Sequence, residues 1–425
     1  MAFSFTMYIS NRRMLPACLL LTGLLFSGPI HAQEQDSAIV MIGLEESMDS
    51  LHLDSTKIIE DAALDIAQDR GLFIITPDAK MQLRILGSVR YLVVYDDLDL
   101  SSKNSLITHE IPTGVDNNRL PNYYNGLSQS RLGFEITRYT GGGNVFIRLE
   151  TDFAGVNGFR IRHAYGQYKD FLFGQTWSLF SSIFSLPATV SFAGPTGGIL
   201  VRTPQIRVTM RNLLPASILS LGLEYFKPEL NLPDTLAVKS FQLIPDITAR
   251  IEKRMDWGSF QLSGILPILS ARSSEGDYFL KAGWGVSFSS VVSSWAGGNW
   301  YLQATGGQAI ARFFHDLAGQ GLDVLYDPDL NAGFLPFTWG GYITYEHHWN
   351  EELFSNFTYG TLYLQTEEFA PPESYYQGDN FRVNTFWSIV EGARIGAEFI
   401  HAMRRDKGGA RGTANRVSLL FYYDF

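Results

Sequence analysis

From residue 81 to the end of the chain, apolar and polar positions alternate with a period of two. In Met81 to Asp96 the odd positions carry Leu83, Ile85, Val89, Tyr91, Val93 and Tyr95, while Arg84, Ser88, Arg90 and Asp96 take even ones. Successive strand residues point to opposite faces, so this segment has one apolar and one polar face. Asn144 to Phe153 repeats the pattern, with Val145, Ile147, Leu149 and Phe153 opposite Arg148, Glu150 and Asp152. Phe159 and Ile161 oppose Arg160 and Arg162; at the far end Val417, Leu419, Phe421, Tyr423 and Phe425 alternate with Arg416, Ser418, Tyr422 and Asp424.

About sixteen such segments follow one another. Short connectors fall at Thr140 to Gly143, Lys169-Asp170, Asn212 to Ser217, Asp256 to Gly258, Ser290 to Ala296, Asn350-Glu351 and around Ile389. Between them lie mostly longer connectors, near residues 97 to 128, 154 to 158, 179 to 202, 227 to 245, 269 to 277, 312 to 333, 366 to 379 and 404 to 412. Tight turns on one rim and longer loops on the other predict an all-β fold: a transmembrane antiparallel barrel of the outer-membrane type. A soluble sandwich also has alternating strands, but its turns recur every 8 to 12 residues, against roughly 22 here. Tyr165, Tyr168, Trp349, Trp387, Tyr422 and Tyr423 near strand ends suggest interfacial girdles.

Ala282 to Ala311 has no charged residue and is long enough to cross a bilayer as a helix. Its six Gly, its five Ser and the break at Gly297-Gly298-Asn299 favour two strands and a turn. A mean hydropathy close to zero excludes a bundle of membrane helices.

Residues 1–32 read as a secretory signal peptide: Arg12 and Arg13 precede an apolar run from Leu15 to Phe26, and Ala32 offers a small residue at the cleavage point. The only cysteine, Cys18, leaves with it, which removes disulfides and thiolate sites. Residues 33–80 form a periplasmic segment in which Ile58, Ile59, Ala62, Ala63 and Ile66 fit one short amphipathic helix. The barrel is expected over 81–425, with an inward-folded loop at 179–202.

Charge is uneven. The chain carries 33 basic and 43 acidic residues, so nucleic acid is not an expected partner. Yet between Arg119 and Arg211 there are ten basic residues and four acidic ones. Arg84, Arg90, Arg131, Arg148, Arg160, Arg162, Arg207 and Arg211 all take the lumen-facing phase. A guanidinium stays charged and matches carboxylate and phosphate oxygens, so this wall predicts a preference for anions. Glu135, Glu150 and Asp152 alternate inward on the same strands, and a rigid charged ladder is the other reading.

The connector Leu179 to Arg202 is apolar, with Phe180, Phe184, Leu186, Phe192, Ile199 and Leu200, punctuated by Pro187, Gly194-Pro195 and Gly197-Gly198. Such a loop must pack against something. Folding into the lumen would narrow it beside the arginines; packing on the rim or at a subunit contact is the alternative.

No enzyme is expected. His347 and His348 are strand neighbours and point apart, so they do not make a metal pair. His163 falls on the lipid-facing phase beside Arg162 and suggests a boundary or subunit contact rather than catalysis. Gly141-Gly142-Gly143 is a tight turn rather than a phosphate loop. The chain ends on a strand closing with Tyr423 and Phe425, the form of a signal for the outer-membrane insertion machinery.

Gln129-Ser130-Arg131-Leu132-Gly133, Arg160 to Gly166, Gly174 to Ser178, Gly194-Pro195 and Arg202 to Arg207 together resemble the DcaP-like family of outer-membrane porins. The resemblance implies a homotrimer of sixteen-stranded barrels in the outer membrane of a Gram-negative bacterium, a constriction loop and an amino-terminal coiled coil. It further implies passive, cofactor-free uptake of small anionic solutes such as dicarboxylates, with Arg131, Arg160, Arg162, Arg202 and Arg207 as pore residues. A loop-closed structural or adhesive barrel is the alternative function.

Overall fold

The computed structural model describes residues 70–114, 119–230, 239–272, 278–294, 297–327 and 332–425. The signal peptide and the short helix expected at 57–68 lie outside them.

Sixteen antiparallel strands form a closed ring: β1 (Met81–Asp96), β2 (Arg131–Thr140), β3 (Gly143–Asp152), β4 (Arg160–Tyr168), β5 (Phe171–Trp177), β6 (Arg202–Arg211), β7 (Ser217–Glu224) and β8 (Asp246–Met255), then β9 (Gly258–Leu266), β10 (Trp284–Ser294), β11 (Gly298–Gln308), β12 (Phe337–His348), β13 (Leu353–Leu364), β14 (Tyr375–Val390), β15 (Ala393–Asp406) and β16 (Arg411–Asp424). Each pairs with its sequence neighbour, and Ser88 to Asp96 of β1 pair with Asp424 to Arg416 of β16 to close the ring. Closure leaves no open edge in lipid, where an unpaired backbone group costs several kcal/mol. The seven short connectors fall at or within a few residues of the expected turns. The uncharged stretch 282–311 supplies β10, β11 and the turn between them.

The period-two pattern sorts the faces. Leu132, Phe134, Ile147, Leu149, Val417, Leu419 and Phe421 are exposed outward, while Arg84, Arg148, Glu150, Asp152 and Arg416 are buried inward. The inward face carries apolar clusters as well, because three connectors fold onto it. Residues 97–114 bring Leu98, Leu100, Leu106 and Ile111 against Ile400, Ala402 and Ala414. Val190 packs on Leu92, Val94, Phe386 and Leu420. Phe313, Phe314 and Leu317 join Phe180, Ile199, Leu362 and Leu364.

Two additions to the ring were not foreseen. Asn122–Gly126 pairs with Asp96 to Leu92 of β1 and continues the line of β2 toward the long-loop rim. Leu72–Ile75, inside the segment expected to be periplasmic, pairs with Ile85 to Gln82 of β1. It lies on the β16 side and continues the line of β16 past Phe425, whose N–H and C=O exchange bonds of 2.9 Å with Gly87.

The pattern also misplaces two side chains. The β3–β4 register shifts between Glu150 and Thr151, so Arg162 is an inserted residue opposite no single partner. A bulge of this kind turns two consecutive residues to one face. His163, assigned to lipid, is therefore buried inward opposite Glu150, and Tyr165, assigned to a girdle, shares its phase.

Candidate functional site

The wall from β1 to β8 holds the arginines. At one level Arg84, Glu135 and Arg148 are cross-strand partners, with contacts of 3.1 Å and 3.5 Å. One step further from the short turns, Arg148 donates to Glu150 at 2.6 Å, and Arg162 binds Glu150 at 2.6 Å and Asp152 at 3.0 Å. Arg160 forks onto Asp152 with bonds of 3.0 Å and 2.6 Å. The charged ladder thus exists, and it occupies Arg84, Arg148, Arg160 and Arg162 while leaving positive charge in excess.

The remaining arginines differ in position. Arg90 stacks on Tyr422 and lies 3.7 Å from Asp424, near the chain terminus. Arg211 binds Asp170 at 3.1 Å in a neighbouring short turn, so it belongs to the mouth rather than the middle of the wall. Arg131 is buried at mid-height of β1, opposite Ser88 and Asp152. Arg207 donates to the Trp177 carbonyl at 2.6 Å and to Gln205 at 3.0 Å. Arg202 has no carboxylate partner and no hydrogen bond at Nε among the described residues; its guanidinium lies 3.5 Å from the centre of the Trp177 ring. His163 meets Trp177 edge-on and is bonded to Thr176 at 2.9 Å.

Residues 178–201 run from this wall across the inside of the ring. Buried carboxylates hold them at three points. Glu224 accepts the Leu179 N–H at 2.8 Å, Glu398 accepts those of Val190 and Ser191 at 3.2 Å and 2.9 Å, and Asp316 accepts the Thr196 hydroxyl at 3.3 Å. Further anchors are Tyr342 to the Ser185 carbonyl, Asn356 to Ala188 and Arg382 to Gly194. Of the named loop residues, Phe180 and Pro195 are buried, Phe184 is half-buried, and Phe192 lies beneath Arg160 and Arg162 at 5.0 Å and 5.8 Å.

Gly197 has φ +79° and a Cβ there would stand 2.1 Å from the Thr361 carbonyl oxygen; at Gly360 a Cβ would meet the Thr196 carbonyl at 2.4 Å. Only glycine lets loop and wall backbones approach this closely.

Sequence reasoning missed the far side. Arg312 is fully buried between Asp246 at 2.7 Å and Asp323 at 3.0 Å, holding residues 309–327 inward. Arg382 and Arg416 are buried with Glu398 and Asp96. Arg382 and Arg416 alternate inward as the first eight do; Arg312 lies in a connector where period two gives no signal. Tyr423 and Phe425 are exposed outward beside the terminal pair with Gly87. No group of three metal-ligating side chains occurs among the described residues.

A closed sixteen-stranded ring with a lipid-facing apolar surface, a charged inner wall and a loop laid across the inside defines the porin class of outer-membrane barrels, and its place is the outer membrane of a Gram-negative bacterium. Within that class the chain belongs to the DcaP outer membrane protein family, whose model matches residues 60–425. Among solved structures it is similar to the outer membrane channel DcaP of Acinetobacter baumannii, with TM-score 0.70 and 22% identity over 82% of this chain and 98% of that one. The anion-selective porin from Comamonas acidovorans matches with TM-score 0.57 and 11% identity, over 81% and 100% of the two chains. OmpT of Vibrio cholerae gives TM-score 0.52 and 11% identity, over 83% and 100%. No curated protein sequence matches the chain.

Proposed function

We infer that the protein is a passive diffusion channel for small hydrophilic solutes, with a preference for anions such as dicarboxylates. The observation that carries this reading is the unbalanced wall: after Glu135, Glu150 and Asp152 are matched, arginine remains in excess, and Arg202 presents its charge beside Trp177 with no carboxylate partner. Charge lining a narrow aqueous path concentrates counter-charged solute and speeds its entry. Several arginines in a row give weak successive contacts rather than one tight site, which suits passage. The loop 179–202, pressed on the inner wall, narrows the path next to these residues. Transport of this kind needs no cofactor and no reaction.

A homotrimer is the assembly the family suggests, and native mass spectrometry in detergent tests it. The central experiment is the reversal potential of the purified protein in a planar bilayer across a salt gradient. Discrete conductance steps with an anion-favouring potential are expected. Cation preference would remove the arginine argument and leave the pore, and absence of steps from folded protein would support a closed structural barrel instead.

A further inference from the structure

The outward face of the β15–β16 hairpin carries a feature that the channel does not use. Arg405 of β15 and Arg411 of β16 are direct cross-strand partners, both exposed and both on the lipid-side phase shared with Met403, Thr413 and Val417. Opposite residues in an antiparallel pair have Cβ atoms about 5 Å apart, and like charges there repel. Neither arginine has a carboxylate within ion-pair distance among the described residues; Arg405 rests on the Tyr376 ring at 5.4 Å. A third guanidinium stands alongside, since Arg119 donates to the carbonyl and hydroxyl of Thr413 at 3.0 Å and 2.8 Å. The nearby carboxylates are committed elsewhere: Asp97 to Arg119 and Asn415, and Asp379, opposite Met403, to Tyr359 and Gln377. Among the described residues, Arg405 and Arg411 therefore lack a counter-charge of their own.

Its height says where that counter-charge comes from. Outward residues of β16 run from Tyr423 up to Arg411. The ten residue steps from Tyr423 to Thr413 cover about 33 Å of strand, or about 25 Å along the membrane normal at a tilt near 40°. This is the height of an outer-membrane apolar belt, so Arg405 and Arg411 stand just above it on the long-loop side. There they face the headgroups of the outer leaflet rather than the lumen.

We propose that Arg405 and Arg411, with Arg119 beside them, form a docking site on the barrel's outer surface for the phosphate of an outer-leaflet glycolipid. A phosphate monoester carries up to two negative charges and three acceptor oxygens, which two guanidinium forks can share. It would convert a repulsive pair into a bridged one. Tyr376, Met403 and the apolar wall below offer a surface for the lipid's sugar and acyl chains.

The test uses the folded full chain in detergent, with native mass spectrometry reading bound lipid. Bisphosphorylated lipid A is expected to be retained by the wild type, and Arg405→Ala with Arg411→Ala to lower retention at least about tenfold, the loss of one charge-assisted contact. Arg405→Gln and Arg411→Gln singly are expected to give intermediate losses, guarding against a misfolded double variant. The salt-gradient reversal potential should not move in any of them, which separates this site from the lumen. Equal retention by the double variant, or equal retention of lipid A stripped of its phosphates, would overturn the proposal. Displacement by millimolar inorganic phosphate would instead reassign the pair as a free-anion site.

Discussion

Arg162 and Arg202 sit on the same wall but carry different consequences. Removing Arg162 takes one of two guanidinium partners from each of Glu150 and Asp152, carboxylates whose side chains have no exposure. Arg148 and Arg160 stay on these acids, so the cost falls below the about 3–5 kcal/mol of a fully broken buried pair, and Arg162→Ala should lower modestly the temperature at which the barrel unfolds on a heat-modifiability gel. Arg202 balances no buried acid, and its removal forfeits mainly the contact with Trp177, about 0.5–2 kcal/mol. Arg202→Ala is thus expected to reduce anion preference with little loss of stability; an unchanged reversal potential would count against its role. Arg202, at the end of a loop, is marked only by the family resemblance, whereas the alternation in the sequence makes Arg162 visible as an inward residue. It does not make visible the bulge at Arg162, because one extra residue leaves local composition unchanged while reversing the phase of His163 and Tyr165.

At the level of strands and loops, the ring was readable because lipid on one face and water or packed polar groups on the other impose period two on every crossing. The loops were less readable. The apolar connector 179–202 announces that it must pack somewhere, whereas residues 97–114 and 309–327 carry charges and give no such sign, yet both turn inward. Their anchors, Thr108 to Asp316 at 2.9 Å and Arg312 to Asp246, join residues more than sixty positions apart, which no local pattern encodes. Loop docking itself makes two predictions. Gly197→Ala adds a Cβ at φ +79° and against the Thr361 carbonyl. Left-handed backbone costs a non-glycine residue about 1–2 kcal/mol before any clash, so the loop should lift and single-channel recordings should become noisier, with larger conductance. Glu398→Ala leaves the Val190 and Ser191 N–H groups and Arg382 without their acceptor, each about 1–3 kcal/mol if no water replaces it. It should produce the same noise from the middle of the loop; quiet recordings at wild-type conductance would show that these carboxylates do not hold it.

For the whole molecule, the seam between β16 and β1 is where integrity is decided. Deleting Phe425 removes its two hydrogen bonds to Gly87 as well as the last outward aromatic. The expected result is a lower yield of heat-modifiable barrel in membranes, measured beside a Phe425→Tyr control that keeps ring and backbone. Replacing Phe73 and Ile75 by proline takes donors from the short strand Leu72–Ile75 and should expose the edge of β1 between Gln82 and Ile85, which limited proteolysis from the short-turn side would detect.

That one line of the wall is finished by β16 together with Leu72–Ile75, segments far apart in the sequence, has a temporal meaning. The strand that must be sealed is the first of the ring to leave the ribosome, and its mate is the last. A translation product cut short anywhere upstream of Arg411 can curl but cannot latch, and it would remain a substrate for periplasmic quality control. Completeness of the ring is therefore checked by geometry.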